Sequence, residues 1–149
     1  VRFTPQQGSE WIGNLQNGYG YATRIIEWME ANAVVVIAKG AVYFVCLGET
    51  VKWRFIDLLG IDCTITPSRD VALISTYTDV VSISTDGTEM WRRSVAVDGV
   101  EISDVRNGKI YGTAGIYPPD EWHPFVLNLA TGTDAEQSDP PKSPVGPEF

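Results

Sequence analysis

One histidine, two cysteines and a scatter of acids are the residues of this chain whose types suit chemistry. To hold a metal or shuttle a proton, His123 would need partners at fixed spacing, and only Asp120 and Glu121 stand near it. It reads as a surface histidine. Cys46 and Cys63 sit among apolar, strand-forming neighbours, which raise a thiol's pKa and weaken it as a nucleophile. Two cysteines in 149 residues make no disulfide framework, so buried free thiols are expected rather than a bridge. Asp98, Glu101 and Asp104 gather at one strand. Period-two alternation puts Glu101 and Asp104 on opposite faces, with Asp98 on the side of Asp104. A solvated edge is the ordinary reading of that cluster, and a weak cation site is the alternative. Gly18-Tyr19-Gly20 lacks the preceding strand and third glycine of a dinucleotide fingerprint, and reads as a turn. No catalytic residue, metal or cofactor is expected from these patterns.

The anomalous stretch is 116–124, IYPPDEWHP. Three prolines lower the entropy cost of ordering it, and exposed Trp and Tyr are favoured at interface centres. Tyr117, Asp120, Glu121, Trp122 and His123 are therefore the candidate binding residues. The competing reading folds Trp122 back as a plug over its own sheet.

Positioning such a loop falls to a repeated strand module. Trp11, Trp53 and Trp91 each follow a glycine by a few residues, in GSEW (8–11), GETVKW (48–53) and GTEMW (87–91), at spacings of 42 and 38. Between them the apolar runs fall in one order, separated by polar turns. The first copy predicts strands at 24–30, 33–38, 41–47 and 50–55. The second predicts 60–66, 71–76, 80–84 and 89–95; the third offers 100–105, 109–114 and 125–129. Asn107-Gly108 is a strong hairpin signal, and Lys39-Gly40 divides the apolar run 31–48, so that run reads as two strands rather than a membrane span. Ile25, Ile26, Met29 and Ala33 also fall at helical spacing, so a short helix near 23–31 competes with the first strand; alignment with 60–66 favours strand. The third copy lacks its glycine-to-tryptophan strand. VRFT (1–4) and GSEW read as the last two strands of a module, which would place Trp11 beside the strands at 100–129.

The segment SISTDGTEMW (82–91) resembles the PQQ-like and WD-type β-propeller repeats: strand, small or acidic turn, glycine, three residues, tryptophan. FVLNLATG (125–132) is similar without the tryptophan, and the 46–53 copy departs by one residue inserted between Gly48 and Trp53. The resemblance covers most of 1–132 and implies an all-β fold of antiparallel four-stranded modules, about three blades. It implies no chemistry, because the ligand set of the family's quinone enzymes has no match here. The glycine-led turn common to Trp11, Trp53 and Trp91 predicts that the three tryptophans take equivalent, largely buried places in successive sheets.

The formal net charge is −8; from Asp98 onward nine acids face Arg106, Lys109 and Lys142, so that part carries −6. Such a surface repels nucleic acid, whose binding needs Lys and Arg, and suits solubility or a basic protein partner. No charged segment followed by an apolar core opens the chain, although a processed leader would leave none to read. Val1 is also small enough to follow an excised initiator methionine, so a chain near full length competes with a fragment. The division expected is a β domain over 1–133 and an acidic, proline-rich extended tail over 134–149 that adds no strand. Three modules in an open arc would expose sheet edges, which predicts association of two chains. The function expected is a cytoplasmic, non-enzymatic protein-binding or assembly module that contacts neither membrane nor nucleic acid. The alternative is a small-molecule or carbohydrate binder that uses strand-end tryptophans and carboxylates.

Overall fold

The computed structural model describes residues 1–5, 10–48, 50, 52–116 and 121–136. Within them every regular element but one is a strand, because β-branched and aromatic runs alternate with glycine and Asx turns. β1 (Arg2–Phe3) and β2 (Trp11–Ile12) pair as a small antiparallel sheet. β3 (Arg24–Trp28), β4 (Ala33–Ala38), β5 (Ala41–Cys46) and β6 (Lys52–Asp57) form the first four-stranded sheet in chain order. β7 (Gly60–Ile65), β8 (Val71–Thr76), β9 (Asp79–Ser84) and β10 (Glu89–Ser94) form the second. β11 (Val100–Arg106), β12 (Lys109–Ile116) and β13 (Glu121–Asn128) form a third, three-stranded sheet. All pairings are antiparallel, so the modular all-β reading holds. The helical alternative near 23–31 does not: β3 runs to Trp28, and only a 3-10 turn follows at Met29–Ala31.

The tight hairpins follow turn chemistry. Lys39 and Gly40, like Asn107 and Gly108, all have positive φ, as two-residue loops of type I′ require.

Alternation decides what each sheet faces. In the first sheet Val35, Ile37, Val42 and Phe44 turn toward the second, where they meet Cys63, Ala72, Ile74, Val81 and Ile83. The opposite side of the second sheet, with Leu73 and Val80, packs on Val100, Val105, Ile110 and Leu127 of the third. Trp28 is fully buried at the first junction, and its indole donates to the Arg69 carbonyl at 2.8 Å. Arg92 clamps the same junction from the rim, donating to Asp57 at 2.6 Å, Asp79 at 3.1 Å and Glu89 at 2.7 Å.

β4 and β5 are apolar on both faces, so the first sheet has a second side to cover. The N-terminal hairpin covers it. Phe3 stacks on Trp11 at 4.1 Å, and the pair packs over Val34, Val36, Tyr43 and Val45. This corrects the expectation that Trp11 joins the strands at 100–129. The sheet nearest in sequence is reached through a shorter closing loop, at smaller entropic cost.

The tail also departs from expectation at its start. Asp134 bridges Leu127, Ala135 donates its N–H to the Val126 carbonyl at 2.9 Å, and Asp134 accepts from Arg93 at 2.8 Å. A few residues past 133 thus line the edge of β13, although no named strand forms there. Residues 137–149 lie outside the described residues.

Candidate functional site

β13 begins earlier than its sequence suggests. β12 continues to Ile116 and β13 starts at Glu121, so Glu121, Trp122, His123 and Pro124 belong to a strand paired with Ile116, Gly115, Ala114 and Thr113. Pro124 is tolerated there because β13 is the last strand of its sheet in the ladder order. Tyr117 and Asp120 lie outside the described residues.

Strand alternation then divides the candidate residues. Glu121 and His123 share the face of Ala114, with His123 Nε2 and Glu121 Oε2 3.1 Å apart and both side chains exposed. Trp122 takes the other face, opposite Gly115. Its ring reaches Gly99, where an added Cβ would stand 3.0 Å from the indole. The indole therefore lies across its own sheet and is half exposed. Of the candidate residues, the three described thus divide between the two faces of β13, Glu121 and His123 on one and Trp122 on the other.

The acidic cluster is corrected too. A bulge at Ser103 leaves Glu101 opposite Thr113 and Asp104 opposite Tyr111, two positions on one face of β12. Glu101 and Asp104 therefore share a face rather than opposing each other. Asp104 is neutralised there by Arg106 at 2.9 Å, and the Arg106 guanidinium stacks 4.4 Å over the Tyr111 ring. No group of three His, Cys, Asp or Glu side chains gathers at metal-binding range among the described residues.

Cys46 and Cys63 are unpaired thiols. Burial, with a smaller push from the Asp62 charge, drives the Cys63 pKa up to about 12, which keeps it protonated and inert.

The three repeat tryptophans do not take equivalent places. Trp91 pairs with Ser82, faces the third sheet, donates to the Leu129 carbonyl at 3.0 Å and lies on Gly132. Trp53 pairs with Val45 and so faces away from the second sheet, 63% exposed. Its neighbour Arg54, opposite Phe44, stands where Trp91 stands in the next module. A bulge at Met90 accounts for the difference: Glu89 opposes Ile83 but Trp91 opposes Ser82, so one residue is skipped before Trp91, whereas Lys52 to Phe55 run unbroken against Cys46 to Tyr43.

The outward face of β6 builds the most distinctive concave surface on the described chain. Trp53 and Phe55 stand edge-on to Tyr43 at 6.0 and 5.8 Å, with Leu58 beyond them. Opposite runs the segment 13–17, pinned by the Tyr43 hydroxyl donating to the Gln16 carbonyl at 2.7 Å. Gly18 and Gly20 hold the continuation of that segment against the 39–40 turn, where Gly18 N–H donates to Ala38 O and Gly20 N–H to Lys39 O. A Cβ at Gly18 would meet the backbone of Ala41 and Leu58, so only glycine permits that approach. Between these walls lies a groove of about 490 Å³ with no Asp, Glu, Lys, Arg or His in its lining.

Sequence reasoning missed Trp53, Phe55 and Leu58 as surface residues, because the bulge that turns Trp91 to a different face from Trp53 shows only in the paired strands. No helix among the described residues is long and apolar enough to cross a membrane. No protein-family model, no curated protein and no solved structure matches this chain.

Proposed function

We propose that this chain is a non-enzymatic binding or assembly module, its three sheets arranged like successive propeller blades, and that it docks a protein partner. The observation that carries this reading is the groove beside the N-terminal hairpin on the outer face of the first sheet, where Trp53, Phe55 and Leu58 remain exposed. Clustered aromatic side chains in a concave, uncharged setting are what interface centres are made of. A second copy of the chain is the partner proposed. The net charge of −8 opposes self-association, but the uncharged groove contributes nothing to that repulsion. Free thiols at Cys46 and Cys63 support a cytoplasmic setting for the same proposal.

Light scattering coupled to gel filtration tests it. The expected mass is twice 16.4 kDa, falling to the single-chain mass in Phe55→Asp, which places a charge at the groove. A single-chain mass for the parent protein at high concentration would remove the second copy. If Phe55→Asp also failed to release any protein captured by the immobilised chain, the docking surface would be refuted.

A saccharide reading has one observation in its favour. Asn14, Gln16 and Asn17 line the wall opposite Trp53, so a sugar ring could stack on indole while its hydroxyls meet amides. Quenching of tryptophan fluorescence by cellotetraose or maltotetraose, lost in Trp53→Ala, would select this reading over protein docking.

A further inference from the structure

On the opposite side of β6 lies a second cleft. At the junction of the second and third sheets, the Trp91 indole fills the rim and rests on Gly132. At the junction of the first and second sheets, Phe44 takes the matching glycine, Gly87, and Arg54 stands in the position of the indole. A guanidinium on a flexible stem does not fill that space. A cleft of about 510 Å³ remains, with Phe44 and Cys46 along one wall and Thr85 and Asp86 along the other.

Lys52 and Arg54 project into this cleft from one face of β6, since Lys52 opposes Cys46 and Arg54 opposes Phe44. The lack of an ion pair sets Arg54 apart from the other arginines of the chain. Arg2, Arg24, Arg69, Arg92, Arg93 and Arg106 each hold a carboxylate within 4.0 Å. Among the described residues neither Lys52 nor Arg54 has an acidic partner at that range, although the chain carries 19 acids. Asp86 lies across the cleft and interacts with Arg54 only at long range; its oxygen is engaged by the Ser84 hydroxyl and the Thr88 N–H. Two adjacent cations with no carboxylate within 4.0 Å and only Asp86 facing them across the cleft, beside the apolar wall of Phe44 and Cys46, suit a ligand that brings both a negative group and an apolar body. A guanidinium fork and an ammonium together are the usual equipment for phosphate and carboxylate oxygens.

We propose that the cleft between β6 and the 85–87 turn binds a small organic anion, its phosphate or carboxylate on Arg54 and Lys52 and its apolar part against Phe44 and Cys46. Neither cation lines the groove proposed above for docking, so loss of one function leaves the other measurable.

The test titrates the full chain with phenyl phosphate, benzoate and inorganic phosphate, following the Arg54 Nε–H and Phe44 ring signals by NMR. Saturable shifts of both signals with phenyl phosphate identify phosphate as the group, and with benzoate carboxylate. Inorganic phosphate should bind about tenfold more weakly or worse, because it buries no apolar area. Binding should weaken as salt rises, be lost in Arg54→Gln, be reduced in Lys52→Gln, and persist in Arg106→Gln. Shifts that fail to saturate with every probe, that survive Arg54→Gln, or that appear equally at Arg106 would overturn the site. Inorganic phosphate binding as tightly as phenyl phosphate would overturn the apolar half of the assignment.

Discussion

Replacing Trp91 by alanine removes an indole that holds the second and third sheets together, whereas the same change at Trp53 trims a side chain facing solvent. Deleting a buried tryptophan costs about 3–5 kcal/mol. Trp91 is partly rather than fully buried, and its loss also strips the Leu129 carbonyl of its donor and leaves a void over Gly132. The expected cost therefore falls at the lower end, about 3 kcal/mol. Trp53 donates no hydrogen bond to the described chain and is 63% exposed, so Trp53→Ala should cost less than about 1 kcal/mol. Urea unfolding followed by circular dichroism reads the difference. With a slope of about 2 kcal/mol/M for a chain this size, Trp91→Ala should lower the midpoint by about 1.5 M, and Trp53→Ala by less than about 0.5 M. Equal losses at the two positions would mean that they occupy equivalent places after all, and the face difference between β6 and β10 would be refuted.

Three further outcomes are expected. Arg92→Ala should cost about 2 kcal/mol, because Asp57 and Asp79, with side chains only 16% and 13% exposed, lose their counter-charge. A double-mutant cycle with Asp57→Asn should recover part of that cost as coupling, and additive losses would remove the clamp. A thiol reagent should label half-buried Cys46 well before Cys63, whose burial holds its pKa near 12; matched rates would contradict the packing of β7. Stability should fall as pH drops from about 4 toward 2. The Ser84 hydroxyl and Thr88 hold the Asp86 pKa down at about 2, below its ordinary 3.8. Burial pushes the Asp79 carboxyl up, but hydrogen bonds from Ser94 and Arg92 outweigh it and leave the pKa lowered. Carboxylates with depressed folded pKa values stabilise the fold above their unfolded pKa and lose that contribution as acid protonates them. Urea midpoints that stay flat between pH 4 and 2 would contradict these bonds.

Much of the architecture was written in local pattern. Runs such as AVVVIA and AVYFVC, split by Lys39-Gly40, name two buried strands and their hairpin wherever the chain places them. The same holds at Asn107-Gly108 and through the whole of the second module, because strand and turn preferences act over a few residues. The strand ends were less legible. β12 and β13 extend to Ile116 and from Glu121 through residues that look like loop, because cross-strand pairing can carry a proline and a bare glycine row that local propensity rejects.

The sides on which residues fall belong to the tertiary structure. A motif such as glycine-to-tryptophan marks a strand, but the face its tryptophan takes depends on register against the neighbouring strand. A bulge at Met90 turns Trp91 toward the third sheet, while β6, unbroken over Lys52 to Phe55, sends Trp53 outward and Arg54 inward. Likewise the Ser103 bulge brings Glu101 and Asp104 to one face that strict alternation had separated. Docking of the N-terminal hairpin on the first sheet was equally invisible locally. It was decided by the second apolar face of β4 and β5, which had to be buried by whatever segment could reach it at least entropic cost. Alternation is a rule of period two, so a single extra residue anywhere upstream inverts it; only the completed sheet shows which way each side chain points.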